Sequence, residues 1–363
     1  MADAPASRSV LVGMSGGVDS SVAACLLQEQ GFAVTGATMR LFDKEAIGEN
    51  MESTCCSLSD VEDARRVAHQ LGIPYYVFNF SDDFDRHVMA RFADCYARGL
   101  TPNPCIDCNR YLKFERMLRR AGELGIGYVA TGHYARISHD GQRFLLQKAR
   151  DADKDQTYFL YHLDQAALAR YQLPLGELTK PEVREIAAAH GFGNARKRDS
   201  QDICFVPDGD YGAFLDRYTG TTCPPGDYIG ADGAVLGRHR GHIHYTVGQR
   251  KGLNIALGRR IYVTGKDVEK NQVFLGENAD LYASALEAGD LNLIACDAIP
   301  APIRCTAKIR HSRSEAGCTV EQTGEDTLLV RFDEPQRAIT PGQAVVLYDG
   351  DTVLGGGEIR RAL

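Results

Sequence analysis

The sequence predicts an α/β domain built on a parallel sheet, followed by two small β-rich domains. Three observations predict it. Strand-like and helix-like stretches alternate from the start of the chain to about residue 207, the pattern of a parallel sheet covered by helices on both faces. The first apolar run, Val10-Leu11-Val12, leads through a Ser/Gly turn directly into a helix-like stretch. After about residue 208 the texture changes to short β-like runs between Gly, Pro and Asp turns, as in small barrels. The expected boundaries are 1–207 for the α/β domain, 208–285 for a central β-rich domain and 286–363 for a C-terminal β-barrel, with Leu291 to Pro302 read as a linking segment.

Each element has its own signal. Val10 to Val12 reads as a buried strand, and Ser21 to Leu27 as a helix ending before Gly31. Ala33 to Leu41 is the second strand. Ser59 to Leu71 reads as a helix with a capping box, Ser59 and Glu62, and a stop at Gly72. Tyr75 to Phe80 is the third strand, Phe84 to Arg98 and Tyr111 to Leu124 are helices, and Tyr128 to Thr131 is the fourth strand. Thr179 and Glu182 form a second capping box, opening a helix to about His190. The later β runs are Asp227 to Ile229, Gln272 to Leu275, Thr327 to Phe332 and Ala344 to Tyr348.

Bulk properties narrow the class. The 363 residues are 44% hydrophobic and 25% charged, ordinary for a globular protein of two or three domains. No apolar run approaches the roughly 20 residues that span a bilayer. Residues 1–10 hold no long apolar stretch, so no signal peptide is expected and the expected location is the cytoplasm. Eleven cysteines then read as reduced thiols, a metal or cluster site, or catalytic groups rather than a disulfide framework. The net charge of −7 argues against a generally basic nucleic-acid binder but leaves room for a local basic patch.

The turn Gly13-Met14-Ser15-Gly16-Gly17-Val18-Asp19-Ser20 is the most informative stretch. A strand, a tight turn and a helix start make an anion site, because the first amides of a helix have no intrahelical partner and the helix dipole favours negative charge. Glycine lets backbone approach an oxyanion, and Ser15, Ser20 and Ser21 offer hydroxyls. No lysine follows the second glycine as the Walker pattern requires, so phosphate is expected to be held by amides and hydroxyls. The plainer alternative is a turn that only caps a helix. The stretch resembles the SGGxDS pyrophosphate loop of the N-type ATP pyrophosphatases, which adenylate an acceptor and release pyrophosphate.

Cysteines supply the second constellation. In Thr101-Pro102-Asn103-Pro104-Cys105-Ile106-Asp107-Cys108-Asn109, two prolines restrain the backbone ahead of a Cys-x-x-Cys that leads into a helix. Thiols near a helix start have depressed pKa values. Taken alone, the pair reads as a redox dithiol, half of a metal site, or two core residues. Cys204, in Asp199-Ser200-Gln201-Asp202-Ile203-Cys204-Phe205-Val206, reads alone as a small buried hydrophobe. Cys55 and Cys56 read as incidental or as a labile loop.

Together, the phosphate loop, Asn103-Pro104-x-x-x-Cys108-Asn109, Thr131-Gly132-His133-Tyr134, Lys154-Asp155-Gln156-Thr157-Tyr158-Phe159-Leu160, Ser200 to Phe205 and Tyr245-Thr246-Val247-Gly248-Gln249-Arg250-Lys251-Gly252-Leu253 resemble the tRNA-specific 2-thiouridylases. The matches run in order along nearly the whole chain. The resemblance implies a sheet of the N-type ATP pyrophosphatase (adenine nucleotide α-hydrolase-like) type and a tRNA-uridine 2-sulfurtransferase that makes 2-thiouridine at wobble position U34 of tRNAs accepting Lys, Glu and Gln. It implies ATP and Mg²⁺, with Gly13, Met14, Ser15, Gly16, Gly17, Val18, Asp19 and Ser20 around the phosphates, Asp19 a candidate Mg²⁺ contact, and Met39 and Gly132 at the adenosine.

The uracil C2 oxygen is a poor leaving group, and adenylation makes it a good one. By the same resemblance, Cys204 bears a persulfide delivered by a sulfur-carrier protein or cysteine desulfurase, Cys108 releases the sulfur, and a Cys108–Cys204 disulfide results. The target base is flipped against Asn103, Pro104 and Cys105. One position departs from the family pattern: Cys105 stands where well-known members carry an aspartate. Cys105, Cys108 and Cys204 therefore also suit a [4Fe–4S] cluster with one open iron, and both mechanisms are open at this point.

The resemblance implies tRNA contacts at Lys154, Asp155, Gln156, Arg310 and His311. Two stretches concentrate cations, Gly237 to Lys251 and Lys308 to Arg313, where phosphate neutralisation would act; the bland reading is a solvated surface. His239, His242 and His244 alternate as on a strand, but with no acid or cysteine partner in view they are not read as a metal site. Two rival functions use part of this inventory: an amide-forming or argininosuccinate-type synthetase with the same loop, and a non-enzymatic, cluster-carrying RNA-binding redox sensor. No membrane contact is expected.

Overall fold

The computed structural model describes residues 8–42, 58–197, 203–311 and 314–363. The chain divides into two compact units, one of residues 1–88, 105–207 and 351–353, the other of residues 89–104, 208–350 and 354–363.

The first unit is built on a parallel sheet. Its strands are β1 (Ser9–Gly13), β2 (Ala33–Arg40), β3 (Tyr75–Asn79), β4 (Tyr128–Thr131) and, later in the chain, the two-residue β7 (Tyr171–Gln172). Their spatial order is β3-β2-β1-β4-β7, with each of these pairings parallel. β1 is central, and Val10, Leu11 and Val12 are wholly buried, as expected of a continuous apolar strand covered on both faces. Helix α1 (Val18–Glu29) links β1 to β2, and α2 (Leu58–Leu71) precedes β3. The chain thus winds outward from β1 to β3 and returns to place β4 on the other side of β1. The order reverses between β1 and β4, and open α/β sheets bind ligands in the crevice beyond the strand ends at such a switch point. Helix α3 (Lys180–Ala189) lies against α1, with Val22, Ala23 and Leu27 sharing a core with Val183 and Ala187.

Most expected elements are present, with differences that have physical causes. The Thr179–Glu182 box caps α3: the Glu182 carboxylate accepts from the Thr179 amide at 2.6 Å and its hydroxyl at 2.8 Å. These bonds hold the Glu182 pKa below the usual carboxylate value. Ser59 lies inside the first turn of α2 rather than ahead of it. The helical segment expected from Tyr111 begins at Pro104, because proline is tolerated in a first helical turn, where its missing N–H is not needed. That segment continues as a wide π-helical stretch, Cys108–Arg116, and then Met117–Glu123. The segment expected from Phe84 begins at Ser81 and passes through a π turn, Asp85–Met89. A hairpin of β5 (Arg136–His139) and β6 (Phe144–Gln147) was not anticipated; its turn is held by the Asp140 carboxylate, which accepts from the Gln142 and Arg143 amides.

The second unit holds two β assemblies. One is a four-stranded sheet, β10-β11-β8-β9, of β8 (Gly226–Ile229), β9 (Val235–His239), β10 (Tyr262–Asp267) and β11 (Gln272–Gly276). It packs around Tyr228, Tyr245, Val263, Val273 and Leu275. The other is an antiparallel array in the order β12-β15-β14-β13-β16-β17, closed into a barrel by pairing of β12 with β17. Its strands are β12 (Tyr282–Leu293), β13 (Ile303–Lys308), β14 (Ala316–Gly324), β15 (Thr327–Arg337), β16 (Ala344–Asp349) and β17 (Thr352–Ala362). Leu291 to Leu293 are therefore strand and not linker, and β12 runs through residue 286. The Asp326 carboxylate holds the irregularity there, accepting from the Asp290 and Leu291 amides. The histidines do not alternate on one strand either. His239 ends β9, Gly241 turns the chain with φ +126°, and His242–His244 form a 3₁₀ turn.

Candidate active site

The phosphate loop sits at the carboxyl end of β1, beside the carboxyl end of β4. Its hydroxyls and amides form a local network: the Ser15 amide donates to Ser20 Oγ at 3.1 Å, the Gly17 amide lies 3.4 Å from Ser15 Oγ, and the Ser20 and Ser21 hydroxyls donate to the Gly17 carbonyl at 3.1 and 3.0 Å. Gly17 is the N-cap of α1 and, having no side chain, makes no side-chain capping bond to the first turn. Two glycines are sterically required. Gly16 has φ +75° and any Cβ there would collide with the Asp60 carbonyl. A Cβ on Gly132 would lie 2.7 Å from the Asp19 carbonyl carbon and the Ser20 amide nitrogen. The end of β4 therefore packs directly on the first turn of α1. Met39, at the carboxyl end of β2, is half-buried.

Sequence reasoning missed the residues that brace this loop. Lys180, at the start of α3, places its ammonium 2.7 Å from each oxygen of Asp19, and the Tyr134 hydroxyl donates to the same carboxylate at 2.8 Å. Asp19, expected to meet Mg²⁺ or cap α1, is held by these two groups. Asn194 donates to the Gly16 carbonyl at 3.1 Å and to Ser21 Oγ at 2.9 Å, while its buried Oδ1 has no hydrogen bond. Lys197 lies 2.6 Å from Asp60, 2.7 Å from Asp63 and 3.3 Å from the Gly16 carbonyl. Burial works against its charge, but hydrogen bonds and charge from Asp60 and Asp63 hold its pKa above the ordinary lysine value. The sole signal in the sequence was that both lysines fall near α3, far from the loop in the chain.

The cysteine helix is tied to the same end of the sheet. His133 follows β4 and is buried, with Nδ1 2.7 Å from Thr131 Oγ1. Burial, with the charge of Lys113, holds its pKa well below the ordinary histidine value, so the ring is neutral. Phe114, on the π-helical stretch, lies 6.0 Å from the His133 ring. Asn109 donates to the Phe159 carbonyl at 3.1 Å, and its buried Oδ1 has no hydrogen bond. Cys105 is exposed and Cys108, about one turn on, is buried; Cys204 is half-buried. Phe205, next to Cys204, is buried edge-to-face on Phe84, with ring centres 5.6 Å apart. Ser200 to Asp202, like Cys55 and Cys56, lie outside the described residues.

Three family profiles match the chain in sequence. One described as the tRNA methyl transferase HUP domain covers residues 8–208, one described as the tRNA methyl transferase PRC-barrel domain covers 212–277, and one described as the aminomethyltransferase beta-barrel domain covers 283–359. The tRNA-specific 2-thiouridylase MnmA of Symbiobacterium thermophilum is 54% identical over 365 residues, covering 99% of this chain and 94% of the relative. Those of Acetivibrio thermocellus and Clostridioides difficile are 52% and 48% identical, covering 97% and 98% of this chain and 99% of each relative. The chain belongs to the tRNA-specific 2-thiouridylase family. Among solved structures, similarity is found to a 4-thiouridine synthetase–RNA complex with bound ATP (TM-score 0.38, 21% identity, 55% of this chain and 45% of that one) and to NMN synthetase from Francisella tularensis (TM-score 0.37, 19% identity, 60% and 79%).

The residues that the 2-thiouridylase resemblance assigns to tRNA occupy different settings. Asp155 is buried, and its carboxylate accepts from the Ala149 amide at 3.1 Å and the Thr157 hydroxyl at 2.7 Å. Gln156 Oε1 accepts from the Tyr134 amide at 2.9 Å. Lys154 is half-buried, while Arg310 and His311 are exposed beyond β13. Lys308 is not on the surface: it is buried, 3.8 Å from Glu315 and over the Tyr348 ring. Arg313 lies outside the described residues. His239 and His242 also face inward, with His239 Nε2 3.1 Å from the Asn271 carbonyl and His242 Nδ1 3.4 Å from Cys223 Sγ. Burial lowers the pKa values of His239 and His244, so these rings add no positive surface near neutrality. Arg238, Arg240, Arg250 and Lys251 are the exposed cations of that stretch.

Removing the Lys180 ammonium leaves the Asp19 carboxylate with Tyr134 as its side-chain partner among the described residues. Lys180→Met is expected to lower stability by about 1–3 kcal/mol, less than a fully buried pair because Asp19 retains 29% side-chain exposure; Tyr134→Phe should cost about 1 kcal/mol. Urea unfolding checks both. His133 gives a pH test. Its folded pKa lies below the unfolded value of about 6.5, so the unfolded chain binds more protons in acid. Its contribution is full above that pH and is lost as pH falls through the window beneath it. His133→Gln should flatten that limb of the stability–pH curve, and an unchanged limb would contradict a buried neutral ring.

Proposed function

We propose that this chain is a tRNA sulfurtransferase that adenylates the C2 oxygen of uridine 34 with ATP and then replaces that oxygen with sulfur. Family membership carries the sulfurtransferase class. The observation that supports the rest is the loop at the switch point, where Gly16 and Gly132 are sterically required, amides and serine hydroxyls converge, and the cysteine helix is tied to the same strand end.

On this reading Gly13 to Ser20 bind the phosphates of ATP, with Met39 and Gly132 near the adenosine. The uridine oxygen attacks the α-phosphorus and pyrophosphate leaves. Cys204 carries the persulfide; the Cys108 thiolate attacks it, releasing sulfide and forming a Cys108–Cys204 disulfide that an external thiol must reduce. Sulfide adds to C2, and AMP departs with the former carbonyl oxygen. Asn103, Pro104 and Cys105 line the flipped base.

Mg²⁺ would neutralise phosphate charge. Both Asp19 oxygens already accept from Lys180, and one also from Tyr134, so Mg²⁺ contact through Asp19 would use the remaining lone pairs of that carboxylate. A [4Fe–4S] cluster, the second reading, is favoured by the donor set Cys105, Cys108 and Cys204, since three thiolates leave one iron open to sulfur. Location in the cytoplasm, a sulfur-carrier protein or desulfurase as donor, and domains at 1–207, 208–285 and 286–363 belong to the same proposal. No helix among the described residues is long and apolar enough to cross a membrane.

The deciding experiment compares iron-free and anaerobically reconstituted protein, each with unmodified tRNA, ATP, Mg²⁺ and a sulfur source, and reads 2-thiouridine by mass. Thiolation by iron-free protein, abolished by Cys108→Ser and by Cys204→Ser, is the expected result. Thiolation only after reconstitution, lost also in Cys105→Ser, would replace the relay with the cluster. No product from either form, with AMP release unaffected by tRNA, would overturn the proposal. Arg310 should act on binding alone: Arg310→Ala is expected to reduce the slope of log affinity against log salt by about 1, measured by filter binding, with ATP affinity unchanged.

A further inference from the structure

At the far end of α1 from the phosphate loop, three potential ligands converge. Cys25 and Glu29 are four residues apart on α1, so their side chains share a face. His190 is the C-cap residue of α3. Cys25 Sγ lies 3.4 Å from His190 Nε2, 3.6 Å from its Nδ1 and 3.8 Å from Glu29 Oε1, and His190 Nε2 lies 3.3 Å from the same carboxylate oxygen. All three side chains belong to the first unit.

We infer that Cys25, Glu29 and His190 form a binding site for a thiophilic divalent cation of the Zn²⁺ type. The argument is geometric. With sulfur about 2.3 Å from zinc and nitrogen or oxygen about 2.0–2.1 Å away, tetrahedral angles separate the ligand atoms by roughly 3.3–3.6 Å. The S···N and N···O separations here fall in that interval and S···O lies just above it. The ligand separations are thus close to those of a tetrahedral site; Sγ lies nearly equidistant from both ring nitrogens, so the exposed His190 ring must turn to aim a nitrogen lone pair at the shared centre, and the fourth vertex is left for water.

Hydrogen bonding alone satisfies this group poorly. The thiol has one proton for two acceptors, and 3.8 Å is long for a thiol–carboxylate bond. Burial and the Glu29 charge push the Cys25 thiol up to about 11, so near neutrality the thiol is protonated. On binding, the S–H bond breaks, an S–metal bond forms, and the proton leaves to solvent. Thiolate and carboxylate then neutralise the dication. Cys25 is buried, while His190 and Glu29 keep 39% and 55% side-chain exposure, which provides a route of entry.

The site also has a mechanical consequence. Lys180 and Asp19 join α3 to α1 at their N-terminal ends. A cation at Cys25, Glu29 and His190 would join the same two helices towards their C-terminal ends, about 9–15 Å from Asp19 along α1 by helix rise. The pair would be clamped at both ends, and thermal stability should rise with metal concentration.

The test uses the full chain carrying Cys105→Ser, Cys108→Ser and Cys204→Ser, so that the other candidate cysteines cannot bind, after chelator treatment. Co²⁺ serves as the spectroscopic probe and Zn²⁺ as competitor. One equivalent of Co²⁺ with a thiolate charge-transfer band and a tetrahedral d–d pattern is expected, reversed by Zn²⁺, with a Zn²⁺-dependent rise in Tm. Glu29→Gln and His190→Gln, both at exposed positions, should each weaken binding about tenfold or more, and Cys25→Ala should abolish the band. Absence of a band from protein with native circular dichroism would overturn the inference. So would a band that Glu29→Gln and His190→Gln leave unchanged.

Discussion

The Lys180–Asp19 pair is the constraint on which the site depends. An anion site at a helix start works only if that start is held still at the strand ends, and nothing in the loop's own sequence ensures this. Glycines and serines supply donors but little packing. The rigidity comes from outside: an ammonium 2.7 Å from both Asp19 oxygens, the Tyr134 hydroxyl on the same carboxylate, and Asn194 and Lys197 on the Gly16 carbonyl. Charge-assisted bonds of this kind are stronger than neutral ones when partly shielded from water. Lys180 has only 9% side-chain exposure, so the pair is largely shielded from water on the lysine side.

That pin and the sheet topology reinforce each other. A reversal of strand order opens a crevice between β1 and β4, and the Gly132 contact with Asp19 and Ser20 limits how wide it is at its floor. Adding even a methyl group would push α1 away from β4. The same strand leads into His133, which burial keeps neutral, and through Phe114 to the helix bearing Cys108. The loop after β1 and the cysteine helix are thereby both referenced to the carboxyl end of β4.

The α/β alternation, β1, the loop and the capping box at Thr179 were legible in the sequence because each depends on contacts within a few residues. What was not legible depends on distant contacts. Lys180, Tyr134 and Asn194 meet the loop only through folding, so their role had no local signature. The histidines at 239, 242 and 244 alternate in sequence as on a strand, yet Gly241 turns the chain after β9, and His239 and His242 are buried. Leu291 to Leu293 looked like a linker because Asp290 and Asn292 interrupt the apolar pattern; Asp326 satisfies the irregular backbone and the strand continues. The cysteine helix starts as early as Pro104 because proline, a restraint on extended chain in local terms, is equally a first-turn helical residue, and only the folded chain decides between the two.

The inward turn of those groups bears on how an acidic chain would engage an acidic polymer. With Lys308 occupied by Glu315 and Tyr348, and with His239 and His242 buried, the exposed cations among the described residues of the second unit's two basic stretches are Arg238, Arg240, Arg250, Lys251 and Arg310. Arg238 is itself 3.7 Å from Asp227. Against a net charge of −7, so few cations give limited long-range steering and a modest counterion-release contribution. On the proposed reading, most discrimination among tRNAs must then come from shape and from the energy of placing one unstacked base against Asn103, Pro104 and Cys105, the step that couples recognition to adenylation. An RNA that docks on the cations but cannot deliver that base would bind without triggering ATP consumption.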